Sequence, residues 1–186
     1  MTALVNIFGQ LIHENWKLEC KDADWFVREN SKTENPELRI SGASALGFSL
    51  DKGDGSDPWP FLAALPGMRK VCDAILVTQI EDVSYVIAVE MKSGNTGKAP
   101  KQIASTWHFT EWLRELLKLN GHWDCDWKFC GLISSTPRRQ EKKGTSRRRL
   151  KMTVNESSKG YRVAHICNER RLNLWDFHRE MTAINT

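Results

Sequence analysis

The sequence predicts an α/β domain with a mixed sheet, an α+β arrangement, on three observations. Two apolar runs, Val71 to Val77 and Tyr85 to Lys92, are separated by a short polar link and read as a hairpin. Apolar residues from Ile103 to Leu117 then recur at helical spacing. A further apolar run, Trp127 to Ser134, follows the helix and reads as another strand.

The remaining elements are expected in order around these. Leu4, Ile7, Phe8, Leu11, Ile12, Trp16 and Leu18 give an amphipathic first helix of about four turns, with Glu14 at the margin of its apolar stripe. The Gly-, Ser- and Asp-rich stretch from Ser41 to Asp57 holds one short strand, Leu46 to Leu50. The hairpin link is Thr78 to Ser84. The second helix has Pro100 in its first turn and stops at Asn120-Gly121. A strand at Tyr161 to Cys167 and a helix at Leu172 to Met181 close the chain. The expected order is helix, three strands, helix, strand, then an extra C-terminal strand and helix.

With 186 residues, the chain is expected to fold as a single domain over 1–186. Its 40% hydrophobic and 27% charged residues exclude a disordered chain, and no apolar run approaches the ~20 residues of a membrane span. Met1-Thr-Ala-Leu-Val-Asn-Ile-Phe8 carries no basic stretch before its apolar residues, so no secretory signal is expected and the compartment is expected to be cytoplasmic. Five scattered cysteines without a C-x-x-C pair agree with a reducing environment.

Net charge is only +4, but it is unevenly placed. Arg138, Arg139, Lys142, Lys143, Arg147, Arg148, Arg149 and Lys151 stand with one acid, Glu141, giving this segment +7 and leaving −3 for the rest. A basic loop over about 136–152 suits a polyanion, with nucleic acid the natural candidate; the bland alternative is a solvated loop.

Asp73 lies in the first apolar run, and Glu90 and Lys92 lie in the second. Side chains repeat every two residues along a strand, so Glu90 and Lys92 share a face, and an adjacent antiparallel strand can bring Asp73 beside them. Two close carboxylates repel and are costly to desolvate unless a cation lies between them, and hard oxygen ligands suit Mg²⁺ or Mn²⁺. A buried ion pair of Lys92 with Glu90 or Asp73, without metal, is the structural alternative.

An acidic residue in one strand, then Val-Ile-Ala-Val-Glu90-Met-Lys92-Ser-Gly closing the next with a helix and a strand behind it, resembles the PD-(D/E)xK, or restriction-endonuclease-like, nuclease superfamily. Cys72 stands where the family name has proline. The resemblance implies an αβββαβ core over about residues 4–135 and a hydrolase cutting phosphodiester bonds. It implies that Asp73, Glu90 and the backbone carbonyl of Met91 bind the divalent ion, while Lys92 acts on the attacking water and the phosphate. Glu14 is the candidate for a first-helix glutamate that often completes such sites. Gln102 occupies a helix position that some branches fill with glutamine, although Thr106 replaces their tyrosine four residues on.

Other motifs fail. The segment Lys92 to Lys98 lacks the first glycine and the Ser or Thr of a P-loop, and Gly53 and Gly55 occupy ligand positions of a calcium loop begun at Asp51. His122, Cys125 and Cys130 match no common zinc spacing. Gly42 to Gly47 is one residue too long for a nucleophile elbow. The expectation is therefore a Mg²⁺-dependent nuclease, with DNA ahead of RNA and internal cleavage ahead of end trimming. Its target choice could come from a dimer mate or a partner subunit. The alternative is an inactive nucleic-acid-binding or assembly subunit with the same fold.

Overall fold

The computed structural model describes residues 2–29, 37–51, 57–62, 65–93, 95–136 and 152–183. The basic residues Arg138 to Lys151 lie outside the described residues, and the expected basic loop with them.

In chain order, the described residues form α1 (Ala3–Leu11), β1 (Cys20–Lys21), β2 (Asp24–Arg28), β3 (Glu37–Ser41), β4 (Ala45–Phe48), β5 (Ala74–Ile80), β6 (Val83–Lys92), α2 (Ala99–Leu119), β7 (Lys128–Ser135), β8 (Met152–Glu156), β9 (Arg162–Cys167), β10 (Arg171–Asn173) and α3 (Leu174–Ala183). Six strands make one mixed sheet in the order β4-β5-β6-β7-β9-β8, and the other four make a second in the order β1-β2-β3-β10. In the large sheet β4, β5 and β6 are antiparallel neighbours, whereas β6, β7 and β9 run parallel.

The apolar runs become central strands because both faces of the large sheet are covered. Register places Gly131, Ala88, Ile75 and Phe48 side by side on one face. There α2 comes so close that a Cβ on Gly131 would lie 3.0 Å from Ile103. Ile103 is fully buried, and a side chain of its kind contributes about 2 kcal/mol by leaving water. On the other face a Cβ on Gly47 would lie 3.0 Å from Leu18 and from the Trp25 ring of the second sheet. The buried apolar residues of both sheets and all three helices belong to one core cluster.

Helix α2 starts with Pro100 in its first turn. It ends where Gly121 adopts φ +70°, with His122 N–H on the Leu117 carbonyl and Gly121 N–H on the Lys118 carbonyl, a Schellman closure. Helix α1 is shorter than its periodicity suggests. After Leu11 the chain makes a 3-10 turn at Glu14–Trp16, then runs beside β4, with Leu18 N–H on Gly47 O and Ser49 N–H on Trp16 O, both at 2.9 Å. Sheet bonding to β4 therefore replaces the last helical turns, while Leu18 still packs inward.

Three strands, β1 to β3, intervene between α1 and β4, where the sequence predicts no strand; β8 and β10 are likewise additional. Among the described residues no helix is long and apolar enough to cross a membrane.

Candidate active site

Register alone brings the three singled-out charges together. Ala74 pairs with Val89, so continuing the ladder one step puts Asp73 opposite Glu90. Both follow the alternation of Ile75 and Ala88 onto the α2 side of the sheet, and Lys92 is two residues beyond Glu90. Asp73 Oδ2 accepts from the Met91 amide at 2.6 Å, and Lys92 Nζ forms an ion pair with Glu90 Oε1.

The site is electrostatically unbalanced. Glu90 is fully buried, and apart from the Lys92 ion pair neither of its oxygens has a hydrogen bond of ordinary geometry. Burial raises its pKa, against the opposing pull of Lys92 and, behind it, of the nearby Cys72 thiol and Asp73 amide, which approach the carboxylate without good hydrogen-bond geometry. Burial and then the Glu90 charge push Asp73 up to about 7; the Met91 amide and Lys92 oppose that rise, and Asp51 adds to it. Burial works against the Lys92 ammonium, but Glu90 and then Asp73 and Glu29 hold its pKa above the ordinary value, so it stays charged. Burial also lifts the Cys72 thiol well above its usual range, which keeps it protonated and unreactive.

The backbone is prepared as well. A residue in a strand sends its N–H and C=O to the same edge, so the Met91 carbonyl is aimed toward the Asp73 side of β6. The next carbonyl, that of Lys92, turns to the opposite edge and accepts from Thr136 N–H at 2.9 Å.

Helix α2 fixes the approach to Asp73. Cys72 N–H donates to the buried Thr106 Oγ1 at 2.9 Å, and Gln102 Nε2 donates to the Val71 carbonyl at 3.3 Å. The Thr106 hydroxyl in turn donates to the Gln102 carbonyl at 3.1 Å. Gln102 thus contacts the chain leading to Asp73 and is a positioning residue in this geometry. Thr106 holds the adjoining amide. That bond also explains why β5 starts at Ala74 rather than Val71: Thr106, and not a strand, takes the Cys72 amide.

Glu14 does not join this group. Helix α1 has ended before it, and its side chain is 80% exposed and paired with Lys17. A carboxylate that sequence reasoning missed lies nearer: Glu29, just after β2, accepts from Ser93 Oγ at 3.4 Å, and its Oε2 is buried with no hydrogen-bond partner among the described residues. Nothing in the sequence singled it out, because β2, which leads to it, is a five-residue strand without a clear period. The carboxylate of Asp51 is also brought near Asp73, by the β4–β5 pairing.

Among the described residues no group of three or more His, Cys, Asp and Glu side chains is gathered to hold a metal by itself. Asp73 and Glu90 nonetheless fit a hard divalent cation. Mg²⁺ commonly takes one or two carboxylates and keeps several waters, and a cation here would relieve both the repulsion at Asp73 and the undersatisfied Glu90. No family model, curated protein or solved structure matches this chain.

Proposed function

We propose that the chain is a metal-dependent nuclease of the restriction-endonuclease-like kind, hydrolysing phosphodiester bonds, with DNA as its substrate and internal cleavage as its mode. The observation that carries this reading is the facing pair Asp73 and Glu90, two carboxylates in a buried setting with a charged lysine two residues along the same strand face. The order of elements supports it: β4, β5, β6, α2 and β7 follow one another in the sequence of the αβββαβ core that the resemblance implies, with β1 to β3 inserted after α1.

In this reading Asp73, Glu90 and the Met91 carbonyl would hold Mg²⁺ or Mn²⁺. The ion supplies charge to neutralise the phosphate and acidifies water. Lys92 keeps its proton and would present positive charge to the phosphoryl oxygens, on which negative charge builds as water attacks. Met91 N–H holds Asp73 in place, while Thr106 and Gln102 fix the segment before it. The basic segment Arg138 to Lys151 would contact backbone phosphates, which gives affinity without sequence choice.

The test is incubation of the purified chain with supercoiled, linear, single-stranded and branched DNA, and with RNA, in Mg²⁺, Mn²⁺ or EDTA. Nicking or linearisation of a covalently closed circle in either metal but not in EDTA supports the reading. Binding without cleavage of any substrate in either metal favours the inactive binding subunit.

A further inference from the structure

A cavity lies at the end of the parallel strands opposite the Asp73 site. Tyr85 and Lys128 border it, while Lys92 and Ser135 mark the other end of the same strand pair, seven residues or about 23 Å away. Its volume is 430 Å³, within the range of small-ligand sites.

One wall is aromatic. Trp107 keeps part of its surface exposed and is backed by Tyr161, with ring centroids 5.9 Å apart. Phe129 stands edge-on to Tyr161 at 5.0 Å, and both of these rings are buried. The polar lining holds four cations, Arg114, Lys128, Lys159 and Arg162, against two carboxylates, Glu111 and Glu156. Arg114 is tied to Glu111, and Arg162 donates to the Met181 carbonyl. The two lysines are exposed and have no carboxylate partner among the described residues. Lys159 Nζ lies 5.3 Å from the Trp107 ring centroid, so a cation already occupies the place where a planar group would stack.

We propose that this cavity binds a nucleotide, with its base against Trp107 and its phosphate between Lys128 and Lys159. A partly exposed indole with the mobile Lys159 side chain over its ring and a second lysine in the same lining suits a planar, anionic ligand, whose base would take the ammonium's place on the ring while its phosphate takes the ammonium as partner, since every base offers a π-face and every nucleotide a phosphate. The cavity shares no lining residue with the Asp73 site, and the inference does not depend on what that site does.

The two sources of a nucleotide, free in solution or within a strand, are separated by probe. Binding of dAMP and of a 5′-phosphorylated six-nucleotide DNA single strand is measured in EDTA by calorimetry and by Trp fluorescence. Wild type is compared with the double variant Lys128→Ala/Lys159→Ala, whose exposed sites leave the core intact, as a thermal melt verifies. We expect at least tenfold weaker binding in the variant. Loss confined to the hexanucleotide assigns a nucleotide within a strand, and loss for dAMP assigns a free nucleotide; both support the proposal. No binding of either probe by wild type at millimolar concentration, or unchanged affinity in the variant, overturns it.

Discussion

The amide of Met91 donates to Asp73 Oδ2 at 2.6 Å, so a single bond ties the residue entering β5 to the strand that carries Glu90 and Lys92. The bond uses one carboxylate oxygen and holds the side chain against the edge of β6. It stabilises the charged form, whereas burial and Glu90 disfavour it, and the balance leaves Asp73 near neutrality in its titration.

That balance predicts a pH effect on the metal-free protein. A carboxyl whose folded pKa is raised from 3.8 to about 7 binds more protons folded than unfolded between those values. Stability therefore falls as pH rises from about 4 to about 7 and stays lower above, by at most ~4 kcal/mol. Thermal melts in EDTA should show a lower Tm at pH 8 than at pH 5, and Asp73→Asn should remove most of that difference. A wild-type and variant pair with equal pH dependence would contradict the electrostatic account of Asp73.

Lys92→Ala should abolish cleavage while DNA binding persists, because the ammonium acts on the phosphate and other cations hold the backbone. It also leaves the fully buried Glu90 without its counter-ion, at a cost of about 3 kcal/mol when the carboxylate is charged. The loss of stability should shrink at low pH, where Glu90 takes a proton, and on adding Mg²⁺. Denaturant melts at two pH values, run beside a binding assay, check both halves.

Thr106→Val removes the acceptor of the Cys72 amide and should cost about 1 to 3 kcal/mol, the penalty for an unsatisfied buried donor. Because the next residue is Asp73, turnover should fall more than substrate affinity. Thr106→Ser, which keeps the oxygen, should restore turnover; a Ser variant no better than Val would deny the hydroxyl a positioning role.

The basic segment is tested by salt. Each phosphate contact on duplex DNA adds about 0.9 to the slope of log affinity against log salt, so neutralising Arg147, Arg148 and Arg149 should lower the slope by roughly 2 to 3 if all three touch phosphate. An unchanged slope would assign the segment to solvent or to a protein partner.

The sequence showed most clearly what burial imposes on long elements. The β5–β6 hairpin and α2 are apolar enough, and long enough, for charges inside them to stand out, and Asp73, Glu90 and Lys92 were found that way. Short strands carried no such signal: β1 has two residues and β10 three, and β10 pairs with β3 across more than a hundred residues of chain. Glu29 was invisible for that reason. Glu14 misled because Trp16 and Leu18 continue the helical period, although the chain there has already turned to bond β4. Thr106 looked like a mismatch until the amide it holds was in view.

The central claim is that Asp73 and Glu90 together hold the cation on which cleavage depends. It is tested most directly by counting bound Mn²⁺ by electron paramagnetic resonance and measuring plasmid nicking in the same samples of wild type, Asp73→Asn and Glu90→Gln. The account predicts Mn²⁺ bound by wild type and lost from both folded variants, with nicking reduced by about 10²- to 10³-fold, the scale of removing a principal electrostatic stabiliser. Either variant nicking at near wild-type rate, or retaining the bound ion, would contradict it.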